Sequence, residues 1–354
     1  MIPLFKPYMP DDIMSSVQEI LYSGKLAYGK WGEQFENEIK SYLGTSLVSL
    51  VNSYSSALNI ALDVFEIGEG DEIIMSPMCC LQSTQPLAQK KIKIVWADVD
   101  PTTGTLDPTS VEQQITSKTK AIFHNQHLGY VGYIDEINEI ANKYSLLTID
   151  DCVDGMGGVY KGKKVGNCGS DATVISFHAV RLPNALECGA ITFKDPKHFE
   201  KTKLHRDLGL DRTQFRKKNG EINELYDVTT AGYGATTNEV NTYIGYKQMS
   251  ILDRLHEKQR SNARAWEKYF IHSGIECKPI NIVNGTVPTY WVFGAFSDQK
   301  EDLIQSFKEL GYMASGVHLN NNRYSLYGEY VDLPGVNSFY NRFLALPSGW
   351  WVNI

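Results

Sequence analysis

Much is missing from this 354-residue chain, and each absence narrows its function. Its six cysteines, Cys79, Cys80, Cys152, Cys168, Cys188 and Cys277, form no CxxC pair and no metal-finger spacing. Without such spacing they read as reduced and structural rather than as a disulfide frame or zinc site. No lysine or arginine run is long enough to make a basic stripe, and the formal charge is −7, which argues against a nucleic-acid partner. The densest basic cluster, Lys161-Gly162-Lys163-Lys164, reads as a hairpin turn. No apolar run approaches a membrane span. The start, MIPLFKPYMPDD, lacks the charged and apolar regions of a signal peptide. Internal repeats and low-complexity tails are also lacking. These absences predict a cytoplasmic protein with no membrane contact.

What is present is ordinary for a globular chain, with 42% hydrophobic and 21% charged residues. The length suits one large α/β domain and a smaller one. The pattern predicts helices over 11–22, 33–43 and 57–65, with a strand over 46–51 between the second and third. Strands over 72–75, 93–96 and 120–124 then alternate with helices over 81–89, 108–115 and 134–144, and a strand over 146–150 follows. Such alternation implies a mostly parallel sheet covered by helices, with ligands at the carboxyl ends of the strands. Polar clusters fall at those ends: 52–56, 79–84, 124–127 and 150–154. The segment 194–227 reads as charged and irregular. One long helix is expected from about Glu239 to His272, followed by a strand over 289–296, a helix over 300–310 and a strand over 313–317. The division predicted is 1–240 for the large domain and 241–354 for the linking helix and small domain.

The stretch 146–193 carries the chemistry. A strand ends in Asp150-Asp151, a glycine-rich crossing follows, and a second strand ends in Ser176-Phe177-His178 before Glu187. Asp151 at a strand end reads as a helix cap or as a carboxylate that pairs with a protonated pyridine nitrogen. Ser55, near a helix N-terminus, and Ser176 could hold a phosphate between them.

The order of these features resembles the DegT/StrS family of nucleotide-sugar aminotransferases, which use pyridoxal phosphate (PLP) on the fold type I architecture. The matching residues run from Ile2-Pro3-Leu4 through Gly70-Asp71-Glu72, Asp98-Val99-Asp100 and Asp150-Asp151 to Ser176-Phe177-His178, Gly232-Tyr233 and Leu346-Pro347. The resemblance implies an α/β, aminotransferase-like fold with a mostly parallel sheet in the large domain and an α+β C-terminal domain. It also implies a homodimer with its sites at the interface, and a nucleotide-linked keto or amino sugar as partner, in surface polysaccharide or related sugar biosynthesis.

The departures cluster at the cofactor. Where the family has its Schiff-base lysine, three residues past the histidine of SFH, this chain has Arg181, and the adjoining residues offer no lysine. A guanidinium stays protonated and cannot make that imine. Tyr54 stands at the glycine of the phosphate turn, with Ser55 at the threonine. Leu81 replaces the aromatic residue that stacks on the pyridine. Asp154 stands at a glutamine or histidine position, Gln126 at a histidine, and Gly234 and Thr236 at an asparagine and an arginine. Leu186 and Cys188 replace the glycines flanking Glu187.

Three readings follow. In the first, PLP or its pyridoxamine form binds without a covalent link, with His178 or Asp154 moving the proton and Arg181 near substrate or phosphate. In the second, the cofactor is gone and the fold serves other chemistry or binding, with a new Asp154–Arg181 pair. In the third, the chain is a non-catalytic partner of an active paralogue. Asp151 could also pair with Arg181. Glu187 and His318, the latter in the loop His318-Leu319-Asn320-Asn321-Asn322-Arg323, are the expected substrate contacts.

Overall fold

The computed structural model describes all 354 residues. Helices α1 (Met14–Tyr22) and α2 (Lys30–Leu43) lead to strand β1 (Val48–Val51) and α3 (Tyr54–Val64). Next come β2 (Glu72–Met75), α4 (Leu81–Gln89), β3 (Lys93–Trp96), α5 (Pro108–Gln113), β4 (Thr119–Asn125), α6 (Ile134–Tyr144) and β5 (Leu147–Cys152). A small hairpin, β6 (Val159–Tyr160) and β7 (Lys163–Lys164), precedes β8 (Ala172–Ser176) and β9 (Gly189–Phe193). The chain continues through α7 (Pro196–Arg206), α8 (Arg212–Phe215), α9 (Glu239–Met249) and α10 (Leu252–Ser273). It ends in β10 (Lys278–Pro279), β11 (Thr286–Val287), β12 (Phe293–Phe296), α11 (Lys300–Glu309), α12 (Pro334–Arg342) and β13 (Phe343–Leu346).

The central sheet has the order β1-β9-β8-β5-β4-β2-β3. Only β9 runs against the others, because it pairs antiparallel with both β8 and β1 while the remaining neighbours are parallel. Strands β5 and β8 are neighbours in register, with Asp151 opposite Val174. That adjacency places Asp151 and Ser176 at the same edge of the sheet. A second sheet, β10-β12-β13, lies in the C-terminal part, and β11 pairs with β6 of the hairpin. The β6–β7 turn is the expected one: Lys161 and Gly162 both have positive φ, as a two-residue hairpin requires. No helix is long and apolar enough to cross a membrane.

Where element limits differ from the sequence reading, the causes are local. Helix α1 begins at Met14, not at the aspartates, because Asp12 pairs with Lys247 at 2.9 Å and caps nothing. Helix α3 begins at Tyr54 rather than Ala57, since the Ser53 hydroxyl accepts the Ser56 N–H and starts the helix three residues earlier. The segment 194–227 is not wholly irregular. It holds α7, opened by an Asp195 cap and Pro196 at its first position, a signal present in the sequence. The long helix is broken at Ser250–Ile251 into α9 and α10. The strand expected over 313–317 is reduced to one bridge, Ser315 to Ala345, because Val317 and His318 turn to positive φ.

Helix α2 has a glycine N-cap, Gly29, with no side chain to satisfy its first N–H groups. Glu239 of α9 does this from a distance: its carboxylate accepts from Gly29 at 2.9 Å and from Trp31 and Gly32 at 3.1 Å. Glu239 is buried, so its loss leaves those donors without water. Glu239→Ala is expected to lower unfolding free energy by about 2 kcal/mol, with Glu239→Gln losing less, read from urea midpoints.

Candidate functional site

The site is built where β4, β5 and β8 end and α3 and α4 begin. Its base is Asp151, the fifth residue of β5, fully buried. Its Oδ2 accepts a hydrogen bond from the Ser83 hydroxyl at 2.7 Å, and its Oδ1 accepts from the Val153 N–H at 3.2 Å. The Tyr54 hydroxyl lies 3.1 Å from Ser83 Oγ. Since the one Ser83 proton goes to Asp151, Tyr54 donates to Ser83. Three side chains with no exposure, Tyr54, Ser83 and Asp151, thus form one relay. Burial pushes the Asp151 carboxyl up to about 7, with the nearby Asp154 adding to the rise and Ser83 and Tyr54 opposing it. Burial also raises the Tyr54 phenol far above its ordinary value, so it stays a donor.

Arg181 does not reach Asp151. Its Nη1 forms an ion pair with Asp154 Oδ1, and both side chains are about nine-tenths buried. The alternative pairing with Asp151 is therefore corrected: Asp151 has Ser83, and Arg181 has Asp154. The guanidinium carbon sits 4.7 Å from the centre of the Trp291 ring, while Phe5 stacks on Trp291 at 4.1 Å. His318 lies parallel to the same indole at 6.5 Å. Burial raises Asp154 against the pull of Arg181, and burial lowers His318 against the pull of Asp154. The Thr289 hydroxyl fixes the Asp154 segment by donating to its backbone carbonyl at 2.9 Å.

The turn between β8 and β9 holds the remaining candidates. The Arg181 N–H donates to the His178 carbonyl at 2.8 Å, and Ala185 N–H to the Phe177 carbonyl at 2.8 Å, which curls the segment under the sheet edge. Ser176 Oγ accepts the His178 N–H at 3.3 Å, a local turn contact. His178 Nε2 and Glu187 Oε2 are 3.7 Å apart and half exposed, too far for a hydrogen bond. Leu186 has φ of 59°, a left-handed conformation that suits glycine, at a position where the resemblance places glycine. Gly189 is needed as glycine, because a Cβ there would meet the Ser53 carbonyl oxygen at 2.6 Å. This close approach packs β9 onto the start of α3. Ser55 is half-buried in that first turn, and Leu81 is 45% exposed at the start of α4.

Sequence reasoning missed Ser83, Trp291, Phe5 and Thr289. Ser83 lay within the polar cluster 79–84, but nothing in its spacing distinguished it. Trp291 and Thr289 lie more than 100 residues from Arg181, and only the fold brings them together. Gln126 holds a separate buried carboxylate: its Nε2 donates to Asp150 Oδ1 at 2.5 Å, and its Oε1 accepts the Gly132 N–H at 2.9 Å.

A mostly parallel sheet with buried acids at its strand ends, a serine-capped helix opposite them and a curled SFH turn define a fold type I aminotransferase architecture. The sequence model of the DegT/DnrJ/EryC1/StrS aminotransferase family matches residues 7–351, and the chain belongs to that family. It is 25% identical to the spore coat polysaccharide biosynthesis protein SpsC of Bacillus subtilis, over 98% of this chain and 92% of that one. It superposes on the sugar aminotransferase CalS13 of Micromonospora echinospora with a TM-score of 0.92, at 25% identity, covering 100% of this chain and 96% of CalS13. Spr1654 of Streptococcus pneumoniae, solved in PLP and PMP forms, shares the fold at 21% identity and a TM-score of 0.89, over 99% of this chain. The PLP form is covered over 94% of its chain and the PMP form over 93%.

PLP needs an anion seat for its phosphate, a carboxylate for its pyridine nitrogen, room for the ring between them and an amine for the imine. At the start of α3 the Ser53 hydroxyl already takes the Ser56 N–H, which leaves the Tyr54 and Ser55 N–H groups as the ones an anion could meet. Each oxygen of Asp151 already has a partner from the chain, the Ser83 hydroxyl on one and the Val153 N–H on the other. The Tyr54 side chain starts at that seat, is wholly buried and ends beside Ser83, the partner of Asp151. No amine stands at position 181. The residues do not fit the group, and no step is derived through it.

Proposed function

We propose that this chain binds a nucleotide-linked keto or amino sugar in surface polysaccharide or related sugar biosynthesis, and that it does not perform lysine-based transamination. One observation carries the reading. The side chain at position 181 is a guanidinium held by a buried carboxylate, Asp154, against the Trp291 ring. It is neither an amine nor free to move to a substrate carbon, and a guanidinium is a poor nucleophile and a poor base. The membership of a sugar aminotransferase family and the likeness to SpsC support the sugar class.

Glu187, His178 and His318 are the proposed sugar contacts, the first two because they remain half exposed beside the turn. The proposed assembly is a homodimer. Support comes from exposed apolar side chains in the 207–230 segment, with Leu225 at 88% and Ile222 at 54% exposure.

The purified chain, supplied with PLP, glutamate and a panel of nucleotide keto-sugars, is expected to release no 2-oxoglutarate above background. Calorimetric titration with the same nucleotide sugars is expected to give saturable binding for at least one. Steady glutamate-dependent formation of an amino sugar would overturn the reading.

A further inference from the structure

We infer that Tyr54 is an internal replacement for the cofactor ring: its side chain, tied through Ser83 to Asp151, closes the pyridine pocket, so the chain takes up neither PLP nor its pyridoxamine form. The inference deepens the reading above and rests on its assignment of the site, but it can fail separately.

A ring that joins a phosphate at the start of α3 to the carboxylate of Asp151 must run between those two points. Tyr54 is the first residue of α3, and its hydroxyl ends within hydrogen-bond distance of Ser83, which holds Asp151. An aromatic ring therefore already runs between them, anchored covalently at one end and hydrogen-bonded at the other. Its side chain has no exposure to solvent, and neither have Ser83 and Asp151. Expelling this ring would cost a fully buried tyrosine its packing and break its buried hydrogen bond to Ser83.

A buried carboxyl group left without partners is costly, and a cofactor cradle emptied by loss of its lysine would leave one. Here Asp151 has a partner at each oxygen, all supplied by the chain. Leu81, at the entrance of α4, is 45% exposed and offers no aromatic face to a ring. Arg181, which would have faced the ring from the opposite turn, is committed to Asp154.

The test uses the full chain and pyridoxamine phosphate, which cannot form imines with surface lysines. Equilibrium dialysis followed by absorbance of the retained pyridine chromophore is expected to show no saturable binding to the wild type at millimolar ligand. Tyr54→Phe, which keeps the ring and loses the hydroxyl, is expected to bind none either. The double variant Tyr54→Gly with Ser83→Ala opens the space and frees Asp151, and is expected to bind at least roughly tenfold more tightly than the wild-type limit. Saturable micromolar binding by the wild type would overturn the inference while leaving the absence of lysine-based transamination standing. A folded double variant, checked by circular dichroism, that binds no more than the wild type would overturn the role given to Tyr54. If the double variant does not fold, the wild-type titration decides alone.

Discussion

Asp154→Ala is expected to destabilise the protein by about 3–5 kcal/mol, one of the two largest effects foreseen here. Arg181 and Asp154 are each about nine-tenths buried, and the guanidinium cannot shed its proton to escape. Truncating the acid leaves a cation in a poorly solvated site with only the Trp291 face for compensation. Arg181 Nε has no partner even in the wild type, so the site has no spare acceptor to offer. The distinguishing control replaces both members, Arg181→Met with Asp154→Leu. If the cost arises from an unpaired buried charge, the double variant loses much less than Asp154→Ala alone. Urea unfolding of the three proteins measures this. A single-variant loss below about 1 kcal/mol would show that water reaches the pair and that Arg181 is not locked.

How much of this could be read from the sequence varies with the physics involved. Four elements, β2, α4, β3 and α6, fall at the predicted residues, because alternation and helical spacing are local signals. The break between α9 and α10 was invisible, since Ser250 and Ile251 carry no breaker signal and the apolar spacing continues across them. In the site, the retained and lost motif residues were legible one by one. Tyr54 stands out in the sequence as a bulky residue where close backbone approach is expected. Its partnership with Ser83 does not, because 29 residues separate them and a serine on a helix has many bland uses. The Asp154–Arg181 pair is legible from charge alone. Its burial beneath Trp291, which makes it a lock instead of a surface bridge, depended on the fold. Sequence therefore reported which residues had changed, and the structure reported that the changed residues satisfy one another.

The Asp151 carboxyl offers the second large prediction, through pH. Its folded value is pushed up to about 7 by burial, against an ordinary 3.8. The groups around it divide: Asp154 raises it further, while the Ser83 and Tyr54 hydroxyls and the Val153 N–H oppose the rise. Cys80 also senses it, its own thiol being raised by burial and then by Asp151. Between about pH 4 and 7 the unfolded chain has released this proton and the folded chain retains it, so the group's stabilising contribution declines as pH rises through that window. The slope is about 1.4 kcal/mol per pH unit, or about 4 kcal/mol over the whole window. Asp151→Asn removes the titration, and its amide oxygen can still accept from Ser83. The variant is therefore expected to gain on the wild type by about 4 kcal/mol between pH 4 and 7 and to hold that gain above pH 7, as read from paired urea unfolding curves. A constant difference between the two proteins across this range would show that the Asp151 carboxyl is not raised and is not sealed by Tyr54 and Ser83. A protonated pyridine nitrogen against the same carboxyl would instead hold it ionised, which leaves no slope between about pH 4 and 7 and moves the loss of stability below about pH 4, so the pH window in which stability changes reports what Asp151 faces.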